Sequence, residues 1–315
     1  MATNKSKKTS AKKSSNKSAK TTVKTAKVVK APKAPVAEAI TSEVDEAHPM
    51  KGFFAKKCDA SENILTIFKS PRIYGALIGE VIGTMLLAII LIALGSGYIQ
   101  YTAVAVGVIA ILAAIHGLSG AHLNPIVTAG MMATRRISAI RGVLYMLAQV
   151  LGAYLGLLVA GAFIGIAGAD SGLEAPVMSE IAEGQYWQVT LTEMALSAVF
   201  AFFVARALKY QKSVLTFAVM VGSALSCIIF ASIILAYTYF GVQSLFAVNP
   251  AMALMFQILP TEADGFWPLM GEAVKMLFTY VILPMVGGVI GFYVADAASR
   301  LSGEKCCCKA GKCEK

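Results

Sequence analysis

Two Asn-Pro dipeptides, Asn124-Pro125 and Asn249-Pro250, stand in different halves of an apolar chain. Asn is a favoured N-cap and Pro a favoured first helical residue, so each dipeptide marks a helix start. About nine residues that suit a helix follow each one; at ~1.5 Å per residue they reach roughly 14 Å, half of a ~30 Å hydrocarbon core. A short helix capped by a side-chain amide presents a positive dipole end and spare N–H donors. Two of them facing one pathway would offer hydrogen bonds to a neutral hydroxyl or water and oppose cations. A lone Asn-Pro starts many ordinary turns; the repetition in matching contexts is what points to a pore.

Helices that short need longer ones around them. At 57% hydrophobic and 15% charged over 315 residues, the chain is too apolar for a soluble protein of its size. Six apolar runs, each about 20 residues or more, fall at 74–95, 99–119, 143–166, 189–208, 213–236 and 272–297. Arg135, Arg136 and Arg141 lie between runs two and three, Arg206, Lys209 and Lys212 between runs four and five, and Arg300 and Lys305 after run six. The other connections carry no Lys or Arg, so the positive-inside rule places both termini in the cytoplasm.

The halves, about 74–166 and 189–298, echo one another. Glu80 and Glu193 each fall early in an apolar run, and an Asn-Pro follows two runs later. Each half holds an odd number of spans, so the two insert with opposite orientation. The fold class expected is an all-α membrane protein: six transmembrane helices and two re-entrant half-helices in an inverted repeat, with the pathway near the midplane.

Residues 71–300 form the expected channel domain, flanked by tails at 1–70 and 301–315. Residues 1–35 hold eleven lysines and no acid, a composition that reads as disordered and suits anionic lipid, or a solvated tail without a specific partner. No specific nucleic-acid contact is expected. Cys306, Cys307, Cys308 and Cys313 suit juxtamembrane acylation or soft-metal capture, or have no separate role.

Several segments resemble the aquaporin and glycerol-facilitator family, also called the major intrinsic proteins. Ser119-Gly120-Ala121-His122-Leu123-Asn124-Pro125-Ile126-Val127-Thr128 is similar to its first signature loop, and Phe246-Ala247-Val248-Asn249-Pro250-Ala251 to its second. Ala148-Gln149-Val150-Leu151-Gly152-Ala153 and Leu283-Pro284-Met285-Val286-Gly287-Gly288 also fit, and the likeness covers roughly residues 74–298. It implies an aquaporin-like fold, a homotetramer with one pore per chain, and a cell-membrane location. It implies that Asn124 and Asn249 meet at mid-membrane, and that Glu80, Glu193 and His122 support the re-entrant loops.

Two departures stand out. Ile126 replaces the family's usual alanine and adds bulk beside the first cap, which would narrow or tilt the junction. Met252 replaces the arginine that the family places after the second Asn-Pro-Ala, removing a fixed charge and its donors. The resemblance assigns the remaining constriction positions to Val104, Phe246 and, across an insertion at the end of run five, Ser223. Such a filter is apolar, uncharged and wide.

The sequence carries no nucleophile–base pair, phosphate loop or metal-ligand set, so no enzyme, cofactor or metal is expected. The function expected is a passive channel for water and small neutral solutes such as glycerol. A strictly water-selective channel, a secondary transporter and a non-conducting membrane scaffold are the alternatives. Gly152/Gly156, Gly161/Gly165 and Gly287/Gly291 are spaced for close helix approach.

Overall fold

The computed structural model describes residues 67–93, 98–167, 180–242, 246–255 and 265–303, all in the unit His48–Lys315. The lysine-rich and cysteine-rich tails lie outside the described residues. All regular structure among the described residues is helical. Helices α1 (Pro71–Ala93) and α2 (Tyr98–Ser119) precede the short α3 (Pro125–Ala133), then α4 (Ala139–Ala167), α5 (Tyr186–Tyr210) and α6 (Val214–Leu235). A single π-helical turn (Ala236–Phe240) extends α6; the short α7 (Pro250–Met255), α8 (Phe266–Leu277), a second π turn (Phe278–Ile282) and α9 (Leu283–Leu301) complete the chain.

Among the described residues, five stretches are long and apolar enough to cross a membrane, and α2, at 22 residues, adds a sixth helix of transmembrane length. The last stretch, Phe266–Leu301, runs for 36 residues. At ~1.5 Å per residue that is roughly 54 Å, well beyond a ~30 Å hydrocarbon core. Its first helix, α8, buries no residue and exposes Phe266 and Trp267, and the buried face begins at Thr279 and Tyr280. The packed part of the last span therefore starts later, at about residue 279, than the run at 272–297 read from the sequence.

The packing repeats. On α1, Val81 and Met85 turn their carbonyls to Gly152 and Gly156 of α4; on α5, Met194 and Ala198 do the same to Gly287 and Gly291 of α9. A Cβ on any of these four glycines would collide with the facing backbone, so each half pairs its first and third spans at the closest approach that glycine permits. The half-helices cross over: α3 packs on α9 and α7 on α4. Gly161 and Gly165, expected to be a third close pair, lie on an exposed face with no neighbour within 4 Å. At the α3 end, Arg136 binds Asp296 at 2.6 Å and lies over the Phe292 ring, and Tyr293 donates to the Ala133 carbonyl, fastening α3 to α9.

Gly287→Ala is expected to destabilise the protein by about 1–3 kcal/mol through overpacking against Met194, whereas Gly161→Ala leaves stability unchanged. Thermal unfolding of the two purified variants in detergent checks the contrast.

Candidate functional site

Helices α3 and α7 start in the same way. Asn124 takes an extended conformation and its Oδ1 accepts from the Ile126 N–H at 2.9 Å; Asn249 Oδ1 accepts from the Ala251 N–H at 3.0 Å. Pro125 and Pro250 occupy the first helical position, where a missing N–H costs nothing. The residue before each cap is left-handed: Leu123 at φ 51° and Val248 at φ 47°. For a β-branched residue such as Val248 that is a sterically disfavoured region, held only where surrounding bonds enforce it.

Those bonds are present. Asn124 Nδ2 donates to the Val248 carbonyl at 2.9 Å, and Asn249 Nδ2 donates to the Leu123 carbonyl at 3.1 Å. The left-handed residues thus turn their carbonyls onto the opposite cap, and two crossed bonds tie the half-helix starts together. Both asparagines line a cavity of about 20 Å³, room for one or two waters at ~10–15 Å³ each. Each amide keeps one N–H for that cavity. The walls follow the repeat: Leu87, Val108 and Leu112 from the first half, Phe200, Val221 and Leu225 from the second.

The one other polar side chain at the cavity is His122. Its Nδ1 lies 3.1 Å from Thr128 Oγ1, which donates to the Asn124 carbonyl at 3.2 Å and accepts from Gln149 Nε2 at 3.0 Å. The Thr128 hydroxyl has one proton, and that proton is engaged, so the network assigns the ring proton to Nδ1. Nε2, which has no protein partner among the described residues, is then an acceptor. The two asparagine amides are donors set within an apolar wall, able to serve the oxygen of a hydroxyl or a water.

Behind the loops sit the two carboxylates, both wholly buried. Glu80 Oε1 accepts from the Ser119 hydroxyl at 2.5 Å and the His122 N–H at 3.0 Å; Oε2 accepts from the Leu123 N–H at 2.8 Å and Gln149 Nε2 at 2.7 Å. Glu193 Oε1 accepts from the Val248 N–H at 2.7 Å, and its Oε2 has no partner among the described residues. Gln149, Thr128 and Ser119 were not singled out from the sequence. Gln149 carried a usable signal, since an amide in an apolar span needs a partner.

The positions assigned to an outer constriction are distributed unevenly. Val104 and Met252 are buried, 5% and 1% exposed, in the main apolar cluster. Phe246 is half-buried in a smaller cluster with Val189 and Ala236. Ser223 is corrected: it is exposed and turned away, because the cavity face of α6 carries Val221 and Leu225, and Ser223 lies midway between them on the opposite side. Ile126 is corrected too. It is fully buried, and a Cβ on Gly288 of α9 would lie only 2.7 Å from its Cγ2, so its bulk packs onto α9 instead of narrowing the junction. His116 is an interior residue, bonded through Nδ1 to the Gly120 carbonyl at 3.2 Å with its ring against Phe217. No cluster of potential metal ligands occurs among the described residues.

A family model described as "Major intrinsic protein" matches residues 67–295. Among curated proteins, the chain is 28% identical to aquaporin TIP1-2 of Musa acuminata over 190 residues, 58% of this chain and 68% of that protein. It is 25% identical to aquaporin Z of Photorhabdus laumondii over 205 residues, 63% of this chain and 81% of that protein. A match to aquaporin PIP2-7 of Musa acuminata is 38% identical but spans 26% of this chain and 35% of that protein. Among solved structures, the aquaglyceroporin from Plasmodium falciparum shares the fold at a TM-score of 0.50 and 19% identity, covering 72% of this chain and 95% of that one.

The carboxylate geometry separates two conservative variants. Gln at 80 must set an NH2 against an N–H or O–H donor in either orientation, whereas Gln at 193 can turn its NH2 to the side where Oε2 has no donor. Glu80→Gln is therefore expected to cost about 2 kcal/mol more than Glu193→Gln, read as a lower unfolding midpoint and a lower yield of membrane-inserted protein.

Proposed function

The chain belongs to the major intrinsic protein family, a family of membrane channels, and from that premise we propose that it conducts glycerol-sized neutral solutes as well as water, through a filter without arginine. The observation that carries the reading is the crossed junction of Asn124 and Asn249, whose two amides line one cavity. A hydroxyl or a water can accept from an asparagine amide, so a polyol or a water exchanges one hydrogen bond for another as it passes. The two half-helix dipoles point their positive ends at this place and oppose cations and protons.

At the outer constriction the reading assigns Val104, Phe246 and Met252. On α6 the cavity face continues outward through Ile228, Ser232 and Ala236, so Ser232 takes the place first given to Ser223. A methionine supplies volume without charge or donors, which lowers the barrier to partly apolar solutes and leaves proton exclusion to the dipoles. Glu80 and Glu193 are assigned to loop support. Orientation with both termini in the cytoplasm, a cell-membrane location, homotetramer assembly and a channel domain over 71–300 belong to the same reading.

Strict water selectivity is favoured by one observation, the cavity of about 20 Å³, which holds water but not a three-carbon solute without side-chain movement. Stopped-flow light scattering on proteoliposomes decides between them. Fast shrinkage under an impermeant osmolyte followed by fast re-swelling under glycerol is the expected result; shrinkage without re-swelling establishes water selectivity, and neither response refutes conduction.

Met252→Arg is expected to reduce both proton leak and the glycerol-to-water permeability ratio, each by about tenfold, as a fixed charge narrows the filter and repels protons. A pH-dye assay in the same vesicles reads the leak; an arginine variant as leaky as the original chain contradicts the role given to Met252.

A further inference from the structure

Resting on the reading of Phe246 as an outer-constriction residue, we propose that Phe240 is a second specificity-determining residue, which forms with Phe246 an aromatic corner that selects short polyols over longer ones. The two rings lie 5.8 Å apart, centroid to centroid, at 73°, the edge-to-face arrangement that aromatic pairs prefer. They pack against Val189 of α5 and Ala236 of α6, and both are half-buried, so part of each ring stands open.

The π turn is what brings Phe240 there. Val221 and Leu225 of α6 line the cavity, and the buried Ile228, Ser232 and Ala236 continue the same side of the helix beyond it. At ~100° per residue, a continued α-helix would put residue 239 near the middle of that face and residue 240 about 80° away from it. The wider π turn advances fewer degrees per residue, which draws Phe240 onto the face and swings Tyr239 off it. Tyr239 is accordingly 72% exposed. Gly241, at φ 70°, donates its N–H to the Ala236 carbonyl and closes the turn, as a left-handed glycine can. Single π turns inside α-helices recur at functional sites because they reset one side chain without unwinding the helix.

This placement answers the smallness of Val104. On the assignment of Val104 and Phe246 to one constriction, the aliphatic residue on α2 offers Phe246 no ring, and the extension of α6 supplies one. A pair of ring edges and faces suits the C–H backbone of a polyol, while hydroxyls turn to the polar groups deeper in the channel. The corner discriminates by fit: a chain of three carbons passes between the rings, and longer chains must displace them.

The test uses full-length protein in proteoliposomes, with glycerol and linear four- and five-carbon polyols as solutes and water flux as the reference. Phe240→Ala is expected to raise the five-carbon-to-glycerol permeability ratio about fivefold, with water flux in the same vesicles reporting that the variant is inserted and conducts. Tyr239→Ala, one residue away and facing outward, is expected to leave the ratio unchanged. Phe240→Leu should shift it in the same direction by less, and serves as the reading if the alanine variant does not insert. Phe240→Ala combined with Phe246→Ala should exceed neither single change by much, because either one opens the corner. An unchanged ratio in conducting Phe240 variants, or an equal shift in Tyr239→Ala, overturns the proposal alone. Vesicles of the original chain that conduct neither water nor glycerol overturn the channel reading with it.

Discussion

Leu123 and Val248 each carry a bond to both halves of the protein. The Leu123 N–H binds Glu80 of its own half and its carbonyl accepts from Asn249 of the other; the Val248 N–H binds Glu193 and its carbonyl accepts from Asn124. Non-helical backbone at membrane depth is tolerated only where its polar groups are satisfied, since each unpaired group costs several kcal/mol in hydrocarbon. Ending a helix inside a membrane-spanning bundle raises that problem twice, and the crossed arrangement answers it with two asparagines and two glutamates. Its consequences reach outward. The left-handed conformations are required to aim the two carbonyls, the carboxylates must be buried to meet the two amides, and the glycines of α4 and α9 let the flanking helices close around them.

The two halves use the same frame with different chemistry. With Gly152 and Gly156 matching Gly287 and Gly291, Gln149 corresponds to Pro284, which has no donor to offer a carboxylate. Counting from the caps, His122 corresponds to Ala247 and Thr128 to Ala253. The first half therefore holds its glutamate with four donors and sets the His122 tautomer through Thr128, while the second holds Glu193 by one oxygen.

Much of this was legible in the sequence, for identifiable reasons. The half-helix starts were readable because Asn-Pro encodes cap and first turn in two adjacent residues, and the spans because hydrocarbon imposes one length and one polarity. Glu80 and Glu193 stood out because ionisable groups are scarce in such spans. What could not be read were choices made by three-dimensional register. Ser223 was misplaced since an insertion and a π turn break the count from the second cap, and no local residue pattern announces a π turn. Ile126 looked obstructive because the sequence shows its size but not Gly288 opposite it. Gly161 and Gly165 share the spacing of the packed pairs and differ only in the face they occupy.

The central claim is that the asparagines act as one junction, and a double-mutant cycle on unfolding tests it most directly. Serine at 124 or 249 still caps its half-helix but does not reach the opposite carbonyl. The account predicts that Asn124→Ser and Asn249→Ser each destabilise the protein, and that the double variant falls short of their sum by at least about 1 kcal/mol, because loosening one tie already weakens the other. Strictly additive losses would contradict it: the two half-helices would then be held independently, and the crossed bonds would be incidental to the fold.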